Sequence, residues 1–286
     1  LEAERVGWGA SGRNGGHVGT GQRADQANIE KWVGMDAAKG LWQLGLDAVQ
    51  KVCDLIDEHQ IDCELGSGNL HLAAKPSHAG ELQEELEHLE SHYGYRQLDY
   101  LVPDAVAERT SAQGFYGGLL DHGCRHLHPL KYAVGLARAA AEAGVRIYEH
   151  SHAQPAPDGQ SGEVKSTMGQ VKAQYVIIGC NAYLGKLMPR LAGNIMPINN
   201  FVIATEPLPY HLLLRINRDC LSMSDTLFVI NYWKLSEGGR MLFGGGENYS
   251  SRVPRDIKAC VRPHMLNINP ELEEIEVEYG WGGAVG

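Results

Sequence analysis

Leu1-Glu2-Ala3-Glu4-Arg5-Val6-Gly7-Trp8-Gly9-Ala10-Ser11-Gly12-Arg13-Asn14-Gly15-Gly16 opens the chain, and its reading governs everything after it. Glu2 has the look of an acid that closes a strand. A dinucleotide site uses such a carboxylate to accept two hydrogen bonds from the ribose diol. Alone, Glu2 reads more readily as a surface acid near a terminus. The glycine loop that normally precedes the acid by about 20 residues falls outside the sequence. The next stretch adds weight. Residues 5–23 contain seven glycines in nineteen positions, too many for a core element. Successive small residues expose backbone N–H groups that can cradle a pyrophosphate, although a flexible loop has the same composition.

Composition narrows the class. The 286 residues are 43 % apolar, enough for one large core or two ordinary ones. A formal charge of −10 argues against a phosphate-backbone binder, so no nucleic-acid partner is expected. No apolar run approaches the roughly 18 residues of a membrane helix. Glycine makes up about 12 % of the chain, 35 residues in all, against roughly 7 % on average. The six cysteines show no C-x-x-C spacing, which fits reduced thiols and a cytoplasmic location. Asn248-Tyr249-Ser250 matches a glycosylation sequon, a short motif that also arises by chance. The first residue is Leu1, and the sequence reads as if it began in mid-strand and stopped short at both ends.

Periodicity predicts the elements. A helix is expected from Ile29 to Gln60, with a break near Gly40, and another from Ser77, its cap, to Tyr93. Strands are expected at Asn69–Ala74 and Gly117–Asp121. Pro129 opens a helix that ends near Gly144, followed by strands at Val145–His150 and Val171–Gly179. Pro155–Gly162 reads as a turn and Ala182–Leu191 as a helix. Strands Phe201–Glu206, Leu227–Leu235 and Arg240–Gly246 follow, with a hairpin at Ser236–Gly239. The helix and strands between 129 and 179 suit a nucleotide-binding α/β layer. The strand-rich blocks at 65–120 and 200–280 suit an antiparallel domain interleaved with it.

Residues 1–16 strongly resemble the D-amino-acid-oxidase-like family of FAD-dependent amine oxidoreductases, in particular its bacterial gamma-glutamylputrescine oxidoreductase branch. Three later stretches carry the same resemblance: Gly123 to Tyr132, Ile203-Ala204-Thr205-Glu206-Pro207-Leu208, and Leu242-Phe243-Gly244-Gly245-Gly246. The resemblance implies a Rossmann-like FAD domain, partial and discontinuous over 1–60 and 123–195. It implies a mixed or antiparallel-sheet substrate domain over 61–122 and 196–280. FAD is the implied cofactor. Glu2 matches the ribose acid, and Ser11, Gly12, Arg13, Asn14, Gly15 and Gly16 match the loop along the pyrophosphate. Ala153 matches the position that meets the adenine. Cys180, Asn181 and Ala182 match a turn close to the cofactor. Tyr232 lies on the stretch Phe228–Trp233, which would face the flavin, where it donates a hydrogen bond or walls the amine.

The implied reaction is oxidation of gamma-glutamylputrescine or a related amine, with oxygen or an electron carrier as acceptor. A D-amino-acid, glycine or sarcosine-type oxidase or dehydrogenase is the alternative, as is a chain without activity of its own. His126 and His128 share a strand face, as do His150 and His152. A metal site would need a third ligand and a second shell, and nothing in the resemblance supports one, so no metal is expected.

Overall fold

The computed structural model describes residues 1–154, 162–249 and 253–286. In chain order the elements are α1 (Ala10–Arg13), β1 (His17–Val18), α2 (Gln26–Val33), α3 (Met35–Glu58), β2 (Gly66–Leu72), α4 (Pro76–Tyr93) and β3 (Leu98–Leu101). There follow α5 (Pro103–Arg109), β4 (Gly118–His126), α6 (Pro129–Glu142), β5 (Glu163–Ser166), β6 (Gly169–Lys172) and α7 (Pro189–Ala192). The last are β7 (Ile198–Pro207), α8 (Tyr210–Asn217), β8 (Ser222–Asp225), β9 (Tyr232–Leu235), β10 (Arg240–Asn248), α9 (Ile257–Ile268) and β11 (Val277–Val285).

One large sheet runs β1-β4-β2-β8-β9-β10-β7-β11, with β3 also paired to β4. Its pairs are antiparallel except β2 with β8. Strand alternation sorts the side chains onto two faces. Leu70, Leu72, Met223 and Trp233 join one apolar core with Ile216 of α8 and Val261 and Met265 of α9. Trp233 and Phe243 stack there with centroids 5.8 Å apart. Alternate positions on the same strands carry Asn69, His71, Ser222, Ser224 and Tyr232, which line a cavity. A second cluster sets Trp42 of α3 against α4, β3 and β4, and a third joins Ile56, Ile61, Cys63 and Leu127 to α6 residues.

Several expectations are corrected. The helix break falls at Gly34 (φ 81°), not near Gly40. Gly45 sits inside α3, where a Cβ would come within 2.8 Å of the Gly21 carbonyl oxygen. Lys75, not Ser77, caps α4, and Pro76 takes the first turn, where its missing N–H costs nothing. Val145–His150 forms no strand. Its end lies along the N-terminus, with Glu2 N–H to Tyr148 O at 2.9 Å and His150 N–H to Glu4 O at 2.8 Å, and His150 turns at φ 51°. The Val171–Gly179 strand stops at Lys172, and Ile177 is 95 % exposed. No strand among the described residues lies beside 174–179 to complete a ladder.

Ala182–Leu191 is not one helix. A 3-10 turn (Asn181–Leu184) and the single turn α7 stand there, separated by Gly185 at φ 52°. β4 runs five residues beyond the expected Asp121, and the 227–235 segment is strand only from Tyr232. Between them β8 ends and the Asp225 carboxylate receives the Leu227 and Asn231 N–H groups at 3.1 and 3.0 Å. That local turn competes with strand extension. The hairpin at 236–239 forms, closed by Ser236 N–H to Arg240 O at 2.9 Å. Helices α5, α8 and α9 stand in blocks read as strand-rich. The turn at Pro155–Gly162 and Ser250 of the sequon lie outside the described residues, Gly162 excepted.

Candidate active site

The glycine-rich loop is built by contact, not by freedom. Gly7 (φ +76°) turns the chain so that its carbonyl oxygen lies 2.0 Å from where a Cβ of Gly12 would stand. Gly16 (φ +75°) presses on the Leu127 carbonyl, where a Cβ would come within 1.9 Å. Leu127 N–H donates to Gly16 O at 2.8 Å, so the loop is laced to the end of β4. The Asn14 side chain accepts from Gly16 N–H at 2.8 Å and closes the turn. Lys234, 2 % exposed, reaches from β9 to donate to the same Leu127 carbonyl at 2.6 Å. Burial lowers its pKa to about 8.

Two cavities meet at this loop. One, about 640 Å³, is lined by Glu2, Ser11, Asn14, Gly16 and His17 together with α6 residues. The other, about 730 Å³, is lined by Asn14, Gly15, His17 and Tyr232 together with the polar sheet face. Asn14, His17 and Val18 border both, so the space is elongated. Of the remaining candidates, Arg13 stands over the Trp8 ring at 4.4 Å and donates to Gly282 O at 2.9 Å. Gly12 forms the inside of the turn. Cys180 lies close enough to Glu2 that the carboxylate, after burial, helps raise its thiol pKa. Asn181 accepts from Gly286 N–H at 3.0 Å, and an added Cβ on Gly286 would touch Ala182 at 3.4 Å. Ala153 bridges to Ser166 beside β5. Gly12, Arg13, Ala153 and the 180–182 turn line neither cavity.

The chain belongs to the family of FAD-dependent oxidoreductases. The family model described as FAD dependent oxidoreductase (DAO) matches residues 1–286. The chain is 37 % identical to the probable oxidoreductase OrdL of Rhizobium meliloti, covering 100 % of this chain and 67 % of that one. It is 36 % identical to the gamma-glutamylputrescine oxidoreductase of Escherichia coli, covering 99 % and 66 %. The chain thus spans about two thirds of the length of these curated relatives. Glycine oxidase from Geobacillus kaustophilus has the same fold, with a TM-score of 0.76 at 19 % identity over 99 % of this chain and 74 % of that one. The fold is that of an FAD-binding Rossmann-like part joined to a substrate part, and FAD is the family's cofactor. The residues present fit such an elongated dinucleotide. They offer a carboxylate at Glu2, a small-residue loop in the middle and a polar cavity beyond Gly15.

Among the described residues no three His, Cys, Asp or Glu side chains are grouped to hold a metal. No helix there is long and apolar enough to cross a membrane.

In the 730 Å³ cavity the two rings beside Gly15, His17 and Tyr232, are held uncharged. His17 is held at a pKa of about 4, chiefly by burial, although Met223 O lies 3.2 Å from its Nε2. Burial also raises the Tyr232 phenol pKa, with Glu247 adding to the effect. Tyr232 donates to Asn200 Oδ1 at 2.8 Å, its ring edge-on to His17 at 5.4 Å. Gly15 and Gly244 clear the space for that ring. Replacing Tyr232 by Phe is expected to cost about 1–2 kcal/mol, because the ring contacts stay and one buried hydrogen bond goes. Denaturant titration measures it, and a loss above that range would mean that the hydroxyl serves a further partner.

Sequence reading missed His17, Asn200 and Lys234. Two had a visible signal. His17 follows Gly16 directly, and Lys234 alternates with Tyr232 along one strand face.

Proposed function

We propose that this protein oxidises the CH–NH2 unit of an amine, gamma-glutamylputrescine or a close relative, to an imine that water hydrolyses to an aldehyde and ammonia. The cavity that joins Gly15 and Tyr232 to a polar sheet face carries this reading. The likeness to the Escherichia coli enzyme supports it. In it, Glu2 holds the ribose, Ser11 to Gly16 run along the pyrophosphate, and Ala153 and Cys180 to Ala182 stand near the adenosine end. Glu2 Oε1 is already engaged by Glu4 N–H at 3.0 Å, so Oε2 is left for a hydroxyl. Bound FAD would take the hydride from the carbon next to the amine nitrogen.

The chain's own part is electrostatic and steric. A neutral imidazole at His17 and an un-ionised phenol at Tyr232 put no formal charge on this end of the cavity wall, while Lys234, which does not line it, adds positive potential at His17 that likewise disfavours an ammonium. Such surroundings disfavour an ammonium and favour the free amine, which is the form able to lose hydride. The Tyr232 ring and the sheet face exclude water from one side. We place residues 1–60 and 123–195 with the cofactor and 61–122 and 196–280 with the substrate. We also place the protein in the cytoplasm, where its six unbridged thiols stay reduced. The test incubates the FAD-loaded protein with gamma-glutamylputrescine and follows aldehyde together with peroxide or dye reduction. Aldehyde in step with acceptor reduction is expected. Aldehyde from no amine tried would overturn the reading.

A further inference from the structure

Strand register puts three polar side chains in one row across the wall of the 730 Å³ cavity. His71 on β2 pairs with Ser224 on β8, and Ser224 with Tyr232 on β9. Two strand spacings, roughly 10 Å, separate His71 from Tyr232. On its other side His71 is in register with Leu119 of β4. The neighbouring row sets Asp121 of β4, Asn69 of β2 and Ser222 of β8 side by side. The other charged side chains of the cavity, Arg23, Asp25, Glu85 and Arg125, come from the loop 19–25, α4 and the end of β4, outside the His71 row.

Hydrogen bonds lace the two rows in one direction. β2 bulges at Gly68, φ 87°, and the Gly68 carbonyl accepts from the Ser222 hydroxyl at 3.1 Å. That uses the single Ser222 proton, so Ser222 Oγ accepts from Asn69 Nδ2–H at 3.0 Å. The Asn69 amide is thereby oriented, and its Oδ1 accepts from the Ser224 hydroxyl at 3.4 Å. The Ser224 proton is used in turn. Ser224 Oγ therefore accepts from His71 Nδ1, 2.9 Å away, and the ring carries its proton on Nδ1. Nε2 is left with a lone pair. Among the described residues it has no hydrogen-bond partner, and it is not one of the buried orphan atoms. His71 lines the cavity, so this lone pair is open to a ligand there. Burial lowers the His71 pKa; the Asp225 carboxylate opposes the shift and His78 of α4 adds to it. Asp225 itself is turned to its own loop, where Leu227 and Asn231 N–H groups hold it.

We propose that His71 Nε2 accepts a hydrogen bond from the reacting amino group of the substrate. This rests on the amine-oxidising reading and adds a contact and a limit on substrate class to it. An amine that gives up hydride uses its nitrogen lone pair to form the C=N bond. A donor on the wall would tie that lone pair up. An acceptor holds the N–H and leaves the lone pair free, and the relay from Gly68 through Ser224 is what denies Nε2 a proton. Primary and secondary amines carry the required N–H, and a neutral tertiary amine does not.

The test uses the FAD-loaded protein and two analogues of gamma-glutamylputrescine that lack the terminal amine. In one a hydroxyl replaces it and keeps a donor. In the other a methyl group replaces it and donates nothing. Calorimetry reads the ratio of the two affinities, and anaerobic flavin bleaching by gamma-glutamylputrescine reads oxidation. His71→Asn keeps an N–H for Ser224 and has no atom where Nε2 stands. It should keep its melting temperature and flavin content and shift the ratio about ten-fold against the hydroxyl analogue. His71→Gln, whose side chain brings an oxygen to the place of Nε2, should restore part of the ratio. NMR of isotope-labelled histidine reads the tautomer with no ligand present. The ring signals lost in the His71 variants should report a protonated Nδ1 and a bare Nε2. A proton on Nε2, an unchanged ratio in His71→Asn, or a wild type that does not bind the hydroxyl analogue would overturn the proposal. A shifted ratio in protein that gamma-glutamylputrescine does not bleach would sink the oxidation reading and leave the His71 contact standing.

Discussion

Adding one methyl group is expected to cost about 2–6 kcal/mol at Gly16 and about 1–3 kcal/mol at Gly12, and to abolish tight FAD binding. At Gly16 the backbone is left-handed, worth about 1–3 kcal/mol of strain for a residue with a Cβ. The new carbon would also stand 1.9 Å from the Leu127 carbonyl oxygen, which is fixed at the end of β4. At Gly12 the obstacle is the Gly7 carbonyl at 2.0 Å. Neither neighbour is a flexible side chain, so backbone must move, and overpacking of this kind costs about 1–3 kcal/mol more. Gly40, where a Cβ meets open space, is the control, and Gly40→Ala should be neutral or slightly stabilising. Denaturant midpoints and flavin content per chain for the three variants read both effects. A Gly16→Ala protein as stable and as yellow as the parent would show that the loop is not set by these contacts.

Acid is expected to unfold the protein through two buried histidines. His126 is 6 % exposed, its Nε2 faces Cys220 O at 2.9 Å, and its Nδ1 has no partner among the described residues. Burial, then the nearby Lys234 charge, lowers its pKa to about 4. His17 is likewise held at about 4 by burial. Between pH 6.5 and about 4 the unfolded chain binds protons on these rings and the folded chain does not. Stability therefore falls as pH drops through that window and is flat with respect to these groups above it. His126 contributes about 3 kcal/mol to the fall. His17 contributes less than that, because it borders both cavities and water can reach it. His126→Gln removes one titration and should flatten the slope of stability against pH. An unchanged slope in that variant would assign the acid lability elsewhere.

The parts of this molecule that were legible in the sequence are those fixed by neighbours in the chain. Gly7, Gly12 and Gly16 announce a loop because their spacing is local. The hairpin at 236–239 and the helix opened by Pro129 are visible for the same reason. The strand carrying Tyr232 was read too long, since the Asp225 side chain that ends the preceding turn acts through its own hydrogen bonds. Val145–His150 and Val171–Gly179 have strand composition, but a strand exists only with a neighbour, and composition does not report one. The cavity was harder still. Asn69 and Ser222, like His71 and Ser224, are 153 residues apart and hydrogen-bonded. Glu85 lies on a helix whose acidic run looks solvated, and nothing nearby in sequence tells that it borders a cavity.

The central claim is that an amine gives up hydride in the cavity between Gly15, Tyr232 and the polar face of the sheet. The most direct measurement mixes FAD-loaded protein with gamma-glutamylputrescine in the absence of oxygen and records the visible flavin band. The account predicts that the band bleaches in a single exponential whose rate saturates with amine. It also predicts that the rate rises with pH as the amine loses its proton, since the cavity end at His17 and Tyr232 accepts the neutral form. A flavin that stays fully oxidised at saturating amine, in protein that dithionite bleaches normally, would contradict it.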